Sequence, residues 1–175
     1  NTEVCYPSSP DELIKLLEQR YNSKLLTYYR VARNSHEVSF DEIRFGKGIV
    51  VKEGSDCTVI ANGPQLKTTL EVAKQLSKLS ISIEVLYFHT LKPFDEEILI
   101  NSVTKTKKLF VIEEHIFNGG LASAAMKACR KMSDIQIDFH CIPDEFIRNY
   151  GTYKEIANSL GFNVPFIVKR LMDFL

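Results

Sequence analysis

Leu109-Phe110-Val111-Ile112-Glu113-Glu114-His115-Ile116-Phe117-Asn118-Gly119-Gly120-Leu121-Ala122-Ser123-Ala124-Ala125 is the stretch on which the fold turns. A short apolar run bounded by turn signals reads as a buried strand. It ends in two acids and a histidine, and a double glycine then lets the backbone swing into a helix of small residues. Glycine permits positive φ and close backbone approach, and Ala124, Ala125 and Ala128 let the helix lie tight on a sheet. The exposed amides of such a helix start favour an anion. In open α/β sheets, ligands and partners collect at the carboxyl ends of strands.

Working outward, the same alternation recurs. Cys57-Thr58-Val59-Ile60-Ala61 reads as a strand, and Asn62-Gly63-Pro64 as a turn into a helix striped by Leu66, Leu70, Ala73 and Leu76. Ile81 to Tyr87 is the next strand, broken by Leu91-Lys92-Pro93-Phe94-Asp95. The acids Asp95, Glu96 and Glu97 suit the first turn of a helix through Val103. The double-glycine helix is expected to run to about Met132. Ile135, Ile137 and Phe139 alternate as a fourth strand at the sheet edge, and residues 152–160 and 165–175 read as closing helices. Strands alternating with helices imply right-handed crossovers. The expected fold is α/β: three layers, α/β/α, around a mostly parallel sheet.

Upstream, Ser9-Pro10-Asp11-Glu12 carries a capping serine, a proline at the first helical position and a glutamate three residues on, so residues 10–22 read as a helix. Leu25 to Val31 is a β-rich run. Residues 34–48 show charge, two glycines and no period, and read as a linker and domain boundary.

Composition narrows the partners. The 175 residues carry 22 basic and 22 acidic side chains, so bulk charge points to no nucleic-acid or membrane partner. Lys105, Lys107 and Lys108 read as a solvated turn. No apolar run approaches the roughly 20 residues of a membrane span. Cys5, Cys57, Cys129 and Cys141 form no CxxC pair and match no zinc spacing, so they read as free thiols in a reducing compartment. No metal site is expected. The chain begins with Asn1, which suggests a fragment.

Four landmarks in order resemble the carboxyl-terminal third of the transketolase family of thiamine-diphosphate enzymes, which includes transketolases, 1-deoxy-xylulose-5-phosphate synthases and the beta subunits of 2-oxo-acid dehydrogenases. They are Thr58 to Gly63, then Thr90-Leu91-Lys92-Pro93-Phe94-Asp95, then Glu113-Glu114-His115 through Gly119-Gly120-Leu121-Ala122-Ser123, and finally Ile142-Pro143-Asp144-Glu145-Phe146 with Tyr150-Gly151. Ala122 stands where the family usually has glycine. The resemblance implies two parts: residues 1–48 as a remnant of the preceding pyrimidine-binding domain with a linker, and residues 49–175 as the carboxyl-terminal domain. It implies that Arg33, or Arg30, meets a substrate phosphate in the intact enzyme.

The family's Gly-Asp-Gly metal motif and its activating glutamate lie in other domains and are not found here. The parent is thus expected to transfer a ketol or acyl unit with thiamine diphosphate and Mg²⁺, in the cytoplasm. This chain alone is expected to bind neither cofactor and to be inactive, with no catalytic residue of its own. Its implied partners are the parent's amino-terminal diphosphate-binding and pyrimidine-binding domains and a second copy in a homodimer. The alternative is a regulatory or scaffold module holding a small anion or partner subunit at the Gly119-Gly120 helix start, with Glu114 and His115 beside it. Read from the residues alone, Glu113 and Glu114 point to opposite faces of their strand, which favours a helix-cap or interdomain role over an acid–base pair.

Overall fold

In the computed structural model, which describes all 175 residues, five strands form the main sheet in the order β3-β5-β4-β7-β8. They are β3 (Ile49–Lys52), β4 (Cys57–Ala61), β5 (Ile83–Tyr87), β7 (Lys108–Ile112) and β8 (Gln136–His140). β4, β5, β7 and β8 run parallel, and β3 pairs antiparallel with β5 at one edge. Helices α2 (Gln65–Ser77) and α6 (Val164–Phe174) cover one face; α3 (Glu96–Thr106) and α4 (Leu121–Cys129) cover the other.

Alternation within the strands divides the core in two. Cys57 and Val59 of β4 pack with Leu66, Val72, Ala73, Leu76, Ile167 and Leu171. Ile60 of the same strand packs with Leu99, Val103, Leu121 and Ala125 on the opposite face. Both faces of β4, β5 and β7 are covered, so these strands read as near-continuous apolar runs. The expected three-layer α/β/α architecture is present, with β8 at the edge as its alternation implied.

Residues 1–48 bring a second sheet that the sequence only half revealed. β1 (Thr2–Cys5) pairs in parallel with β2 (Leu26–Tyr29), and β6 (Thr90–Lys92) pairs antiparallel with β1. The expected β run at 25–31 is thus the edge strand of a three-stranded sheet. β1 was not anticipated, nor was β3. The segment from Leu91, read as a break, forms part of β6, because β1 offers it a hydrogen-bonding edge. α4 stops at Cys129 rather than Met132. Helix α1 (Pro10–Arg20) begins where read: Ser9 Oγ accepts from the Glu12 amide at 3.2 Å. α5 (Tyr153–Ser159) starts with a full capping box from Thr152 and Glu155.

Residues 34–48 form no helix or strand, yet they are packed. His36 is 1% exposed and its Nε2 lies 2.5 Å from Glu12 Oε1. Glu12, also buried, accepts from the Ser8 amide at 2.7 Å and from the Tyr87 hydroxyl at 3.0 Å. Lys15 and Gln19 donate to the carbonyls of Phe40 and Ile43. A buried carboxylate deprived of a partner loses more than the bond itself. His36→Leu should therefore cost about 2–4 kcal/mol of stability, read as a lower urea midpoint.

Candidate functional site: the carboxyl ends of strands β4 and β7

β4 is flanked by β5 on one side and β7 on the other. The chain leaves β4 toward β5 and later returns on the far side to form β7. This reversal of strand order opens a crevice beyond the carboxyl ends of β4 and β7. The turn Asn62-Gly63-Pro64 and the segment Glu113 to Gly120 line it.

Glu113 is fully buried, and its Oε2 and Oε1 accept from the Leu121 and Ala122 amides at 2.6 and 2.7 Å. The anion at the start of α4 is therefore the chain's own carboxylate. A Cβ at Gly120 would stand 2.3 Å from Glu113 Oε2, so a side chain there would push the carboxylate off these amides. Gly119 turns the chain with φ +80°. Burial pushes the Glu113 carboxyl above its ordinary value, against the two amides, which lower it. Cys141 Sγ lies 3.6 Å from Glu113 Oε1, and burial beside that carboxylate lifts the thiol to about 12. The neighbouring His140 turns away, to pack on Phe162 and Phe166.

Glu114 points the other way, as alternation on a strand requires. Its Oε1 accepts from Gln65 Nε2 and from the Tyr153 hydroxyl. Its carbonyl accepts from Arg30 Nη2 at 2.8 Å, and the Arg30 guanidinium lies 4.3 Å over the Tyr6 ring. Burial and the Glu114 carboxylate raise the Tyr153 phenol to well above its ordinary value. Tyr6, Arg30, Glu114, Gln65 and Tyr153 thus form one knot joining residues 1–48 to the rest of the chain.

Two cavities share Arg30 of this knot as a wall. One, of about 180 Å³, is mainly apolar, with Arg30 and Glu114 among its walls. The other, of about 340 Å³, is lined by Tyr6, Arg30, Asn62, Glu113, His115, Gly119 and Gly120, among others. His115, Gly119 and Gly120 thus share one cavity, while Glu114 lines the other. Arg33 is exposed on the loop after β2 and lines neither cavity. At the helix start the Leu121 and Ala122 amides are taken by Glu113.

Sequence reasoning missed Asn62, Gln65, Tyr6 and Tyr153. Asn62 Oδ1 and Gln65 Oε1, on the same turn, are buried without a hydrogen-bond partner. The turn itself was legible; its polar side chains gained meaning only once β1 and the Glu114 segment closed over them.

A doubly covered parallel sheet with this crevice defines a class, and comparison with known proteins supplies the family. The family described as "Transketolase, C-terminal domain" matches residues 46–167. The chain belongs to that family. It is 32% identical over 148 residues to a 1-deoxy-D-xylulose-5-phosphate synthase of Geobacillus sp., covering 81% of this chain and 23% of the relative. It is 31% identical over 166 residues to a transketolase of Mus musculus, covering 87% and 27%. The chain therefore spans about a quarter of the length of these curated relatives. A solved split-gene transketolase, described as an inactive β4 tetramer, superposes with a TM-score of 0.91 at 26% identity, covering 100% of this chain and 58% of that one.

Proposed function

We propose that this chain is the carboxyl-terminal domain, with the tail of a pyrimidine-binding domain in residues 1–48, of an enzyme that transfers a ketol or acyl unit with thiamine diphosphate and Mg²⁺. The observation that carries this reading is the family match over residues 46–167 together with a structural likeness reaching back to residue 1. The cofactor supplies the carbanion chemistry when bound elsewhere in the enzyme. The side chains here do not fit it: no three His, Cys, Asp or Glu residues gather to hold a metal ion, and Glu113 fills the α4 start.

Its proposed work is assembly. β2 has one unpaired edge, and Leu26 and Tyr28 on it are 71% and 57% exposed. Ile14 and Leu17 of α1 and Tyr21 just after it are exposed as well. An open edge with apolar side chains invites another strand. The amino-terminal domains of the parent are the proposed cover, with a second copy completing a homodimer; the split-gene relative supports assembly from separate chains. Arg33, on the loop leaving β2, is the proposed contact to a substrate phosphate, since a guanidinium grips phosphate bidentately. A cytoplasmic setting fits the four free cysteines, and no helix is long and apolar enough to cross a membrane.

Calorimetry of thiamine diphosphate with Mg²⁺ tests this reading on the full-length parent and on the 175-residue chain side by side. Binding by the parent and not by this chain is expected. Absence of binding by both would overturn the reading.

A further inference from the structure

In the 340 Å³ cavity between the small sheet and the carboxyl ends of β4 and β7, an unsatisfied buried group meets unused donors. Asn62 is 2% exposed, lines the cavity, and has an Oδ1 with no partner. A buried carbonyl oxygen left unpaired is costly, and natural structures satisfy nearly all such groups. Arg30 lines the same cavity. Its Nη2 donates to the Glu114 carbonyl and its face rests on Tyr6. A guanidinium carries five N–H donors, so most of them remain for a ligand.

The same walls decide the charge of that ligand. Glu113 borders the cavity, and its negative charge is held by the α4 amides. A phosphate monoester, with a charge of about −1.5 to −2, would meet that carboxylate at close range. A carboxylate brings one charge and matches the guanidinium fork equally well. Asn62 Oδ1 calls for a donor on the same molecule, which a hydroxyl supplies.

We propose that this cavity binds a small hydroxy-carboxylate, its carboxylate on the free N–H groups of Arg30 and its hydroxyl donating to Asn62 Oδ1. The proposal stands apart from the thiamine reading, since it uses only side chains of this chain and needs no cofactor. The ligand would bridge residues 1–48 and 49–175 and so tighten the knot around Glu114.

Glycerate, propionate, glycerol and inorganic phosphate serve as probes, titrated into the 175-residue chain by calorimetry and by thermal melting. Glycerate at ten times its Kd should raise Tm by about 3 °C or more. Propionate, lacking the hydroxyl, and glycerol, lacking the carboxylate, should each bind at least about tenfold more weakly. Asn62→Ala should erase the preference of glycerate over propionate, and Arg30→Met should weaken both. Equal binding of glycerate and propionate by the wild-type chain, tighter binding of phosphate, or a preference that survives Asn62→Ala would each overturn the proposal. The wild-type comparison of probes keeps the test decisive even where a variant fails to fold.

Discussion

Glu113→Ala is expected to lower stability by about 3–5 kcal/mol, because it strips the acceptor from two buried amides at the start of α4 at once. Leu121 and Ala122 are both fully buried, so water cannot replace the carboxylate without opening the contact between α4 and the sheet. Gly120→Ala should cost a comparable amount by a different route. The three atoms nearest a Cβ at position 120 all belong to the Glu113 carboxyl group, at 2.3, 2.7 and 2.8 Å. The backbone at Gly120 has φ −93°, which any residue accepts, so the penalty arises from this collision rather than from backbone strain. In the Glu113→Ala background that collision is gone, and Gly120→Ala should be nearly neutral. Urea unfolding of the four proteins in a double-mutant cycle reads the coupling. Additive costs would mean that the glycine serves some contact other than Glu113.

Acid should unfold this protein earlier than carboxylate pairs alone require. His89 is fully buried, with Nδ1 3.0 Å from Thr90 Oγ1 and Nε2 without a partner. Burial pushes its pKa down to about 4, with Glu12 pulling weakly the other way. Between pH 6.5 and 4 the unfolded chain takes up a proton at this site while the folded chain does not. The stability of the neutral histidine is therefore complete above pH 6.5 and lost as pH falls toward 4. At 1.36 kcal/mol per pKa unit, the loss is about 3 kcal/mol.

His140, lowered mainly by burial, adds to the loss in the same direction. Glu3, held down by Thr27 and Arg20 against burial, and Glu84, held down by Lys105 and Ser102 against burial, add theirs as pH falls through the carboxylate range. Glu113, raised by burial, acts in the opposite sense, since its folded form keeps a proton longer. His89→Leu should flatten the stability curve between pH 6.5 and 4 by about 3 kcal/mol while leaving the fall below pH 4 in place. An unchanged slope in that variant would mean that His89 charges freely in the folded state.

How far these effects were legible in the sequence differs between sites. Gly119 and Gly120 announce a sharp entry to a helix, and the alternation rule separates Glu113 from Glu114. The acid that caps α4 was therefore visible as one of two candidates. His89 and His36 gave no such sign, because each owes its burial to residues far away in the chain. The stretch Leu91 to Asp95 misled for a related reason: its first residues join a strand only because β1, some ninety residues earlier, lies alongside.

Local pattern determined the main sheet. The apolar runs at 57–61, 83–87 and 109–112, each followed by a turn and a striped helix, can bury both faces only as parallel strands between two helical layers. Helix starts at Ser9, Asp95 and Thr152 were equally local, since a cap acts within one turn. The tertiary structure alone decided the pairing of β1 with β2 and β6, the edge position of β3, and the closure of the 34–48 segment over Glu12. It also decided that Arg30, rather than Arg33, enters the crevice. Strand pairing and buried hydrogen bonds are contacts between distant residues, and their free energy depends on what the folded chain brings opposite them.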